Sequence, residues 1–161
     1  MSRPAVTSPS GPVVQGVLDD AGLVERGRQA LVIEADAVAA LARRLGGDFV
    51  RACRLSLAIR GRVVVSGMGK SGHVAGKIAA TLASTGTPAF FLHPAEAGHG
   101  DLGMITREDL LLAISNSGET AEILTILPIV KRLGVPLIAL TGRPDSTLAR
   151  NAEAALSDCL P

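Results

Sequence analysis

The sequence predicts an α/β domain built on a doubly wound, mostly parallel sheet. First, short apolar runs alternate with segments of helical spacing from Arg62 onward, which is the pattern of strands joined by helical crossovers. Second, turns rich in glycine and serine directly follow the apolar runs Val63–Val65 and Leu110–Ile114, as at strand-to-helix junctions. Third, a sequence of 161 residues with 47% apolar and 19% charged residues can bury one core.

Two helices are predicted before the sheet begins. From about Val13 to Leu45, apolar residues recur at helical spacing among Asp, Glu and Arg, and Gly46-Gly47 ends the segment. Asp48 is predicted to cap a second helix, roughly Phe49–Ile59. Gly61 then breaks the chain before the first strand.

The sheet is predicted to have four clear strands and a weak fifth, because apolar runs are separated by helical segments. The strands are predicted at Val63–Val65, Pro88–Leu92, Leu110–Ile114, Pro136–Leu140 and, weakly, Ala154–Leu156. The helices between them are predicted at Ser71–Ser84, whose small residues allow close packing on a sheet, at Ser117–Leu133 and around 146–152. Ligands of doubly wound sheets bind at the carboxyl ends of the strands. The loops 66–73, 93–103 and 115–120 are therefore predicted to line the site.

The composition argues against nucleic acid and membrane partners. The formal net charge is +1, no basic block of five or more occurs, and the aromatic residues are three Phe with no Trp or Tyr. No apolar run approaches the roughly 18 residues that a membrane span needs. Residues 1–12 are predicted to be a disordered tail, since they have no apolar core of signal-peptide length. Cys53 and Cys159 are interpreted as buried, reduced thiols of a cytoplasmic protein.

The stretch SGMGKSGH, residues 66–73, contains the dinucleotide pattern G-x-G-x-x-G and the G-K-S that ends a P-loop, but the surrounding sequence favours neither kind of nucleotide site. A P-loop would need a glycine where Val64 stands, and a dinucleotide site wants an acidic residue where His93 ends the second strand. A tight strand-to-helix turn without ligand explains the glycines. It explains Lys70 less well, because a cation at a helix N-terminus is unfavourable unless an anion lies nearby.

A second polar turn, SNSGET, follows the strand Leu110–Ile114. Ser115, Ser117 and Thr120 offer hydroxyl groups, and the start of the next helix offers N–H groups. Simple N-capping by Ser117 is the alternative, but capping needs one of these residues rather than all of them. Two such turns at one sheet edge predict a compact anion pocket sized for a monophosphate ester.

At this point the sequence resembles a known family. SNSGET resembles the phosphate-binding loop of sugar isomerase (SIS) domains, and GMGKSGH, ASTGTP, HPAEAGHGDLGM, AISNSGET and TGRPDSTLAR resemble D-arabinose 5-phosphate isomerases over about Gly61–Arg150. The resemblance implies a flavodoxin-like, five-stranded α/β/α SIS domain over 13–161. It also implies interconversion of D-ribulose 5-phosphate and D-arabinose 5-phosphate through an enediol, without a cofactor, for Kdo and lipopolysaccharide biosynthesis. Members are expected to be homodimers or homotetramers with sites between subunits.

The resemblance also assigns site residues. The implied catalytic residues are Lys70, His99 and Glu122, with Glu122 preferred as the base and Glu119 left open. His93 matches a histidine that contacts substrate and can take an inhibitory divalent metal. The implied substrate- and phosphate-binding residues are Ser66, Gly67, Ser71, Gly86, Thr87, His93, Ser115, Asn116, Ser117 and Thr120.

Two other functions remain open at the level of sequence. One is a non-catalytic SIS domain that senses a sugar phosphate. The other is a different SIS enzyme, such as a phosphoheptose isomerase or an aminosugar deaminase, which HGDLGM disfavours. This sequence stops at Pro161, whereas members of the family continue. Their C-terminal segment carries a further glutamate and histidine, and most members then have CBS modules. We therefore expect weak or no isomerisation from this chain alone, although sugar-phosphate binding can persist.

Overall fold

The computed structural model describes residues 19–98 and 100–157. These residues fall into two compact units that divide between Ala40 and Leu41. The predicted tail at 1–12, Cys159 and His99 lie outside the described residues. The prediction that Cys53 is buried is wrong: its thiol is exposed, because the second helix buries the neighbouring Ala52 instead.

The first unit consists of most of helix α1, Asp20–Ala42. The carboxylate of Asp19 accepts a hydrogen bond from the Gly22 N–H at 2.8 Å, which satisfies one of the free N–H groups at the helix start. No side chain of α1 is buried. The apolar side chains that stay exposed are Leu23, Val24, Leu31, Val32, Ile33, Val38 and Leu41.

Helix α2, Gly47–Ala58, opens the second unit. The prediction that Asp48 caps it is wrong, because Gly46 takes the N-cap position and Asp48 lies inside the first turn. There the Asp48 carboxylate is 3.5 Å from the Arg51 guanidinium in an exposed ion pair.

Five parallel strands form the sheet in the order β2-β1-β3-β4-β5. The strands are β1 (Val63–Gly67), β2 (Ala89–Leu92), β3 (Leu110–Ile114), β4 (Leu137–Thr141) and β5 (Ala154–Ser157). Every residue of β1 is buried, as expected for a strand covered on both faces. This strand order confirms the predicted doubly wound, flavodoxin-like sheet.

Helices cover both faces of the sheet and give the predicted three layers. The helices that follow α2 are α3 (Gly69–Ser84), α4 (Pro94–Gly98), α5 (Ala121–Leu133) and α6 (Thr147–Asn151). One core cluster joins Val64 and Leu111 to α4, α5 and α6, and the other joins Val63 and Val65 to α2 and α3. Alternate residues of β1 thus point to opposite cores. In the described part of the chain, no helix is long and apolar enough to span a membrane.

An ion pair fixes the amino ends of the central strands. Asp109, 1% exposed, lies directly before β3 and accepts hydrogen bonds from the Arg62 backbone N–H at 2.7 Å and from the Arg62 Nη2 at 3.0 Å. It also accepts from the Thr106 N–H at 2.8 Å. Gly61 passes so close to this carboxylate that a Cβ there would collide with it. Burial raises the pKa of Asp109, but the hydrogen bonds and charge of Arg62, with Thr106, outweigh it and hold the pKa below its usual value.

Candidate active site

The turns after β1 and β3 lie side by side at the carboxyl edge of the sheet. In the parallel pairing of these two strands, Gly67 is the partner of Ile114. The chain therefore leaves both strands at the same level, on neighbouring strands about 4.8 Å apart. The strand order also reverses here, because β2 lies on one side of β1 and β3 on the other. Such a switch point leaves a crevice in which ligands of doubly wound sheets bind.

The glycines of the first turn serve its own backbone packing. A Cβ on Gly67 would lie 2.8 Å from the Ser71 carbonyl oxygen, and one on Gly72 would lie 2.7 Å from the Gly67 carbonyl oxygen. Gly69 has a positive φ of 55°. The tight turn therefore accounts for G-x-G-x-x-G without a nucleotide. Lys70, by contrast, is exposed in the first turn of α3 and has no hydrogen bond or ion pair with the described residues.

The two serines around this turn differ in availability. Ser66 is fully buried, and its hydroxyl donates to the Leu92 carbonyl oxygen at 2.8 Å, which ties β1 to β2. Although the sequence predicts Ser66 as a ligand contact, the structure uses its hydroxyl inside the sheet. Ser71 is half-buried at the start of α3. Met68, the N-cap residue of α3, provides no side-chain cap, so the first N–H groups of this helix are left for another acceptor.

The second turn gathers its hydroxyl groups around Ser115. This serine is 2% exposed; its Oγ accepts from the Gly118 N–H at 3.0 Å and lies 2.7 Å from the Thr120 Oγ1. The Ser117 Oγ lies 3.5 Å from the Ser115 Oγ and accepts from the Glu119 N–H at 3.2 Å. Helix α5 begins after Thr120 rather than at Ser117, which corrects the predicted start. Its N-terminus has no side-chain cap, so its first N–H groups remain available to an anion.

The segment after β4 holds the second turn in shape. The Gly142 N–H donates to the Asn116 carbonyl oxygen at 3.0 Å, and the Leu148 N–H donates to the Gly118 carbonyl oxygen at 3.0 Å. Gly118 has a φ of 63°, and a Cβ there would collide with the Ser146 side chain. Sequence reasoning missed this support, although hydroxyl and glycine residues in TGRPDST after a strand are a signal for it.

The two candidate bases have different surroundings. The Glu119 Oε1 accepts a hydrogen bond from the Thr147 N–H at 2.7 Å, and this bond lowers the pKa of Glu119 below its usual value. Glu122 lies in the first turn of α5, is exposed, and makes no hydrogen bond or ion pair with the described residues. Its carboxylate is therefore available at the start of the helix.

The structure brings His93 to this edge and separates Gly86 and Thr87 from it. His93 directly follows β2; its Nδ1 is buried and has no hydrogen-bond partner among the described residues, and its ring stands edge-on to Phe91 at 6.3 Å. Gly86 and Thr87 lie between the end of α3 and the start of β2, at the opposite edge of the sheet. Within residues 19–98 and 100–157, no group of three His, Cys, Asp or Glu residues could hold a metal ion.

Comparisons with known proteins identify the family. The SIS domain model matches residues 56–157. The arabinose 5-phosphate isomerase KdsD of Pseudomonas aeruginosa is 63% identical over 130 residues, which cover 81% of this chain and 40% of that protein. The KdsD of Escherichia coli K12 is 54% identical over 129 residues, 80% of this chain and 39% of that protein.

A solved structure from Escherichia coli CFT073, in complex with A5P, superposes with a TM-score of 0.82 at 40% identity, covering 89% of this chain and 76% of that chain. The chain spans about 40% of the length of the curated relatives that it matches. The match to the SIS domain model agrees with the strand order and with the two turns at the switch point. The chain belongs to the SIS-domain family.

Proposed function

We propose that this chain carries the catalytic sheet of a cytoplasmic D-arabinose 5-phosphate isomerase. The observation that carries the proposal is the N-terminus of α5, which has no side-chain cap and follows a turn rich in hydroxyl groups. It lies at the same sheet edge as the unpaired side chains of Lys70 and Glu122. The curated relatives that bear this name support the choice of substrate.

The second turn is suited to hold the phosphate group. In the structure, the Ser115 Oγ lies 2.7 Å from the Thr120 Oγ1 and 3.5 Å from the Ser117 Oγ. When a phosphate binds, these hydroxyl groups rotate to donate to its oxygens, together with the first N–H groups of α5. The exposed side chain of Asn116 adds an amide donor. With the phosphate fixed there, the sugar extends toward the first turn and places C1 and C2 near Glu122 and Lys70.

The chemistry is a proton transfer between two carbons. From ribulose 5-phosphate, the Glu122 carboxylate removes a proton from C1, and the electron pair forms the C1–C2 double bond while the C2 carbonyl oxygen gains a proton. The Lys70 ammonium stabilises negative charge on that oxygen, and His99 relays protons between the hydroxyl groups. Reprotonation at C2 by Glu122, with loss of the proton from O1, gives the C1 aldehyde of arabinose 5-phosphate.

We propose that Gly86 and Thr87 contact substrate in the site of a second copy of the chain. They lie at the opposite edge of the sheet from the two turns, so they contact substrate only if a neighbouring subunit supplies them. We therefore propose a homodimer or homotetramer with shared sites. His93, at the correct edge, contacts the substrate within the same chain and can bind an inhibitory divalent metal through its unpartnered Nδ1.

Substitution of Glu122→Gln tests the proposed function. The variant should bind arabinose 5-phosphate as the wild type does, while proton abstraction falls by roughly a thousandfold. The readout is incorporation of solvent deuterium at C1 of ribulose 5-phosphate, followed by NMR, which detects abstraction even when net turnover is slow. Glu108→Gln is the matched control, because Glu108 is exposed at the opposite edge of the sheet.

Three outcomes would contradict the proposal. Glu122→Gln protein that exchanges the C1 proton at the wild-type rate would remove Glu122 as the base. Wild-type protein that binds arabinose 5-phosphate without any exchange would favour the sensor function instead. Faster exchange with a seven-carbon ketose phosphate than with ribulose 5-phosphate would favour a phosphoheptose isomerase.

A further inference from the structure

The side chain of Glu119 is exposed, yet its carboxylate is occupied. The Oε1 accepts the Thr147 N–H at 2.7 Å, and Thr147 is the first residue of α6. The preceding Ser146 caps the same helix, because its Oγ accepts from the Ala149 N–H at 3.3 Å. Glu119 therefore satisfies a helix N–H that lies 28 residues away in sequence and would otherwise lack an intrahelical partner.

This hydrogen bond lies on a seam where the segment after β4 shapes the SNSGET turn. The backbone contributes the bonds from Gly142 N–H to the Asn116 carbonyl and from Leu148 N–H to the Gly118 carbonyl, each at 3.0 Å. Glu119 adds a side-chain bond to the same seam, immediately before the N-cap residue of α5. The conformation that presents the hydroxyl groups of the turn thus depends on α6.

Neighbouring groups compensate the negative charge of the Glu119 carboxylate. The backbone N–H of Thr147 lowers the pKa of Glu119, with further contributions from the positive charges of Arg150 and Arg143. A carboxylate held in this way is a poorer acceptor for a carbon-bound proton than the free carboxylate of Glu122. The bond to α6 also offsets the repulsion that an unpaired carboxylate would exert on a phosphate beside it.

We propose that Glu119 is a positioning residue: its hydrogen bond to the Thr147 N–H holds the Ser115–Thr120 turn in its anion-binding conformation. Glu122 is then the base. The inference deepens the proposed function, since it concerns the same site and rests on that site binding a phosphate group.

Affinity measurements on both partners of the bond test the inference. Wild-type and variant chains are titrated with arabinose 5-phosphate and with inorganic phosphate, and the backbone amide resonances of 115–120 are followed by NMR. Glu119→Ala should weaken both ligands by about 5- to 20-fold, because the turn loses a charge-assisted hydrogen bond. Glu119→Gln should stay within about twofold of the wild type, because its amide oxygen still accepts from Thr147.

Thr147→Pro removes the donor instead of the acceptor. Proline is favoured at the first position of a helix, and Ser146, with φ −70° and ψ 162°, already has the conformation that a residue before proline requires. This variant should weaken both ligands as Glu119→Ala does, and the double variant should be no weaker than either single one. It also keeps the inference testable if Glu119→Ala fails to fold. Glu108→Ala, a surface carboxylate at the opposite edge, should bind as the wild type does.

Two results would contradict the inference about Glu119, and a third would contradict only the proposed function. Wild-type affinity in Glu119→Ala or in Thr147→Pro would show that the bond does not position the turn. Wild-type binding by Glu119→Gln together with loss of C1 deuterium exchange would make Glu119 the base. If the wild-type chain binds both ligands but exchanges no C1 proton, the proposed isomerase function fails while the inference about Glu119 stands.

Discussion

At the scale of single residues, the geometry of the SNSGET turn depends on the absence of a side chain at Gly118. Its φ of 63° lies in the left-handed region that favours glycine. A Cβ at this position would also collide with the Ser146 side chain and lie 2.9 Å from the Thr141 Oγ1. Conformation and space therefore both disfavour any larger residue: the first constraint lies in the turn's own backbone, and the second comes from Ser146 and Thr141.

Gly118→Ala should destabilise the chain and abolish binding of arabinose 5-phosphate. The left-handed conformation and the overpacking together should cost about 2–4 kcal/mol of the free energy of unfolding. Urea denaturation and calorimetric titration measure the two effects. Gly76→Ala is the control: Gly76 lies inside α3 with no atom within 4 Å of its would-be Cβ, so alanine should raise stability by about 0.5–1 kcal/mol. A Gly118→Ala chain as stable as the wild type would contradict this account.

The roles of Lys70 and Glu122, which the sequence resemblance implies, stay predictions. The structure shows that both side chains are exposed and unpaired at the carboxyl edge of the sheet. The hydrogen bonds of Ser66 and Glu119 could not be predicted from the sequence, because their partners lie 26 and 28 residues away. Only the fold brings those partners close, so sequence alone left Glu119 as a second candidate base.

At the scale of secondary structure, the strands were the most predictable elements. The predicted bounds of β3, Leu110–Ile114, are confirmed, since a buried parallel strand is a continuous apolar run. The start of α5 was predicted too early because Ser117 and Thr120, which are typical capping residues, bond within the turn instead. Helix α4 and the 3₁₀ helix Asp101–Met104 were predicted as loop. They are too short for periodicity to show, and burial of Ala97 and Leu102 stabilises them.

The ion pair between Asp109 and Arg62 should stabilise the pairing of β1 with β3. Asp109→Ala leaves the Arg62 and Thr106 N–H groups and the guanidinium without their acceptor, so unfolding free energy at neutral pH should fall by about 2–3 kcal/mol. Asp48→Ala, which removes only an exposed ion pair, should change it by less than about 0.5 kcal/mol. Urea denaturation measures both variants, and equal losses would contradict the assigned role.

The contribution of Asp109 to the free energy of unfolding should also depend on pH. The pKa of Asp109 is lowered in the folded state, so its contribution is complete above the unfolded-state pKa of about 3.9 and is lost as pH falls through the lower folded value. The difference in unfolding free energy between the wild type and Asp109→Ala should therefore become smaller when urea denaturation is repeated at acidic pH. A deficit that grows on acidification would have the wrong sign for this ion pair.

At the scale of the whole molecule, the predicted substrate contacts lie at opposite edges of one sheet. Helix α3 has 16 residues and joins the first turn to the segment with Gly86 and Thr87. A helix of that length spans about 24 Å, which is more than a pentose phosphate can bridge. If both groups of residues contact substrate, each site combines the two turns of one subunit with Gly86 and Thr87 of another.

Mixed oligomers test this sharing directly. Thr87→Glu should prevent sugar-phosphate binding by charge repulsion, and Glu122→Gln should prevent proton abstraction, so each variant alone should exchange little deuterium at C1. After subunit exchange in an equimolar mixture, half of the sites in each mixed dimer combine two intact parts, and about a quarter of the wild-type rate should return. If both residues belong to a site within one chain, mixing restores nothing. Thr87→Glu protein with full activity by itself would remove Gly86 and Thr87 from the site altogether.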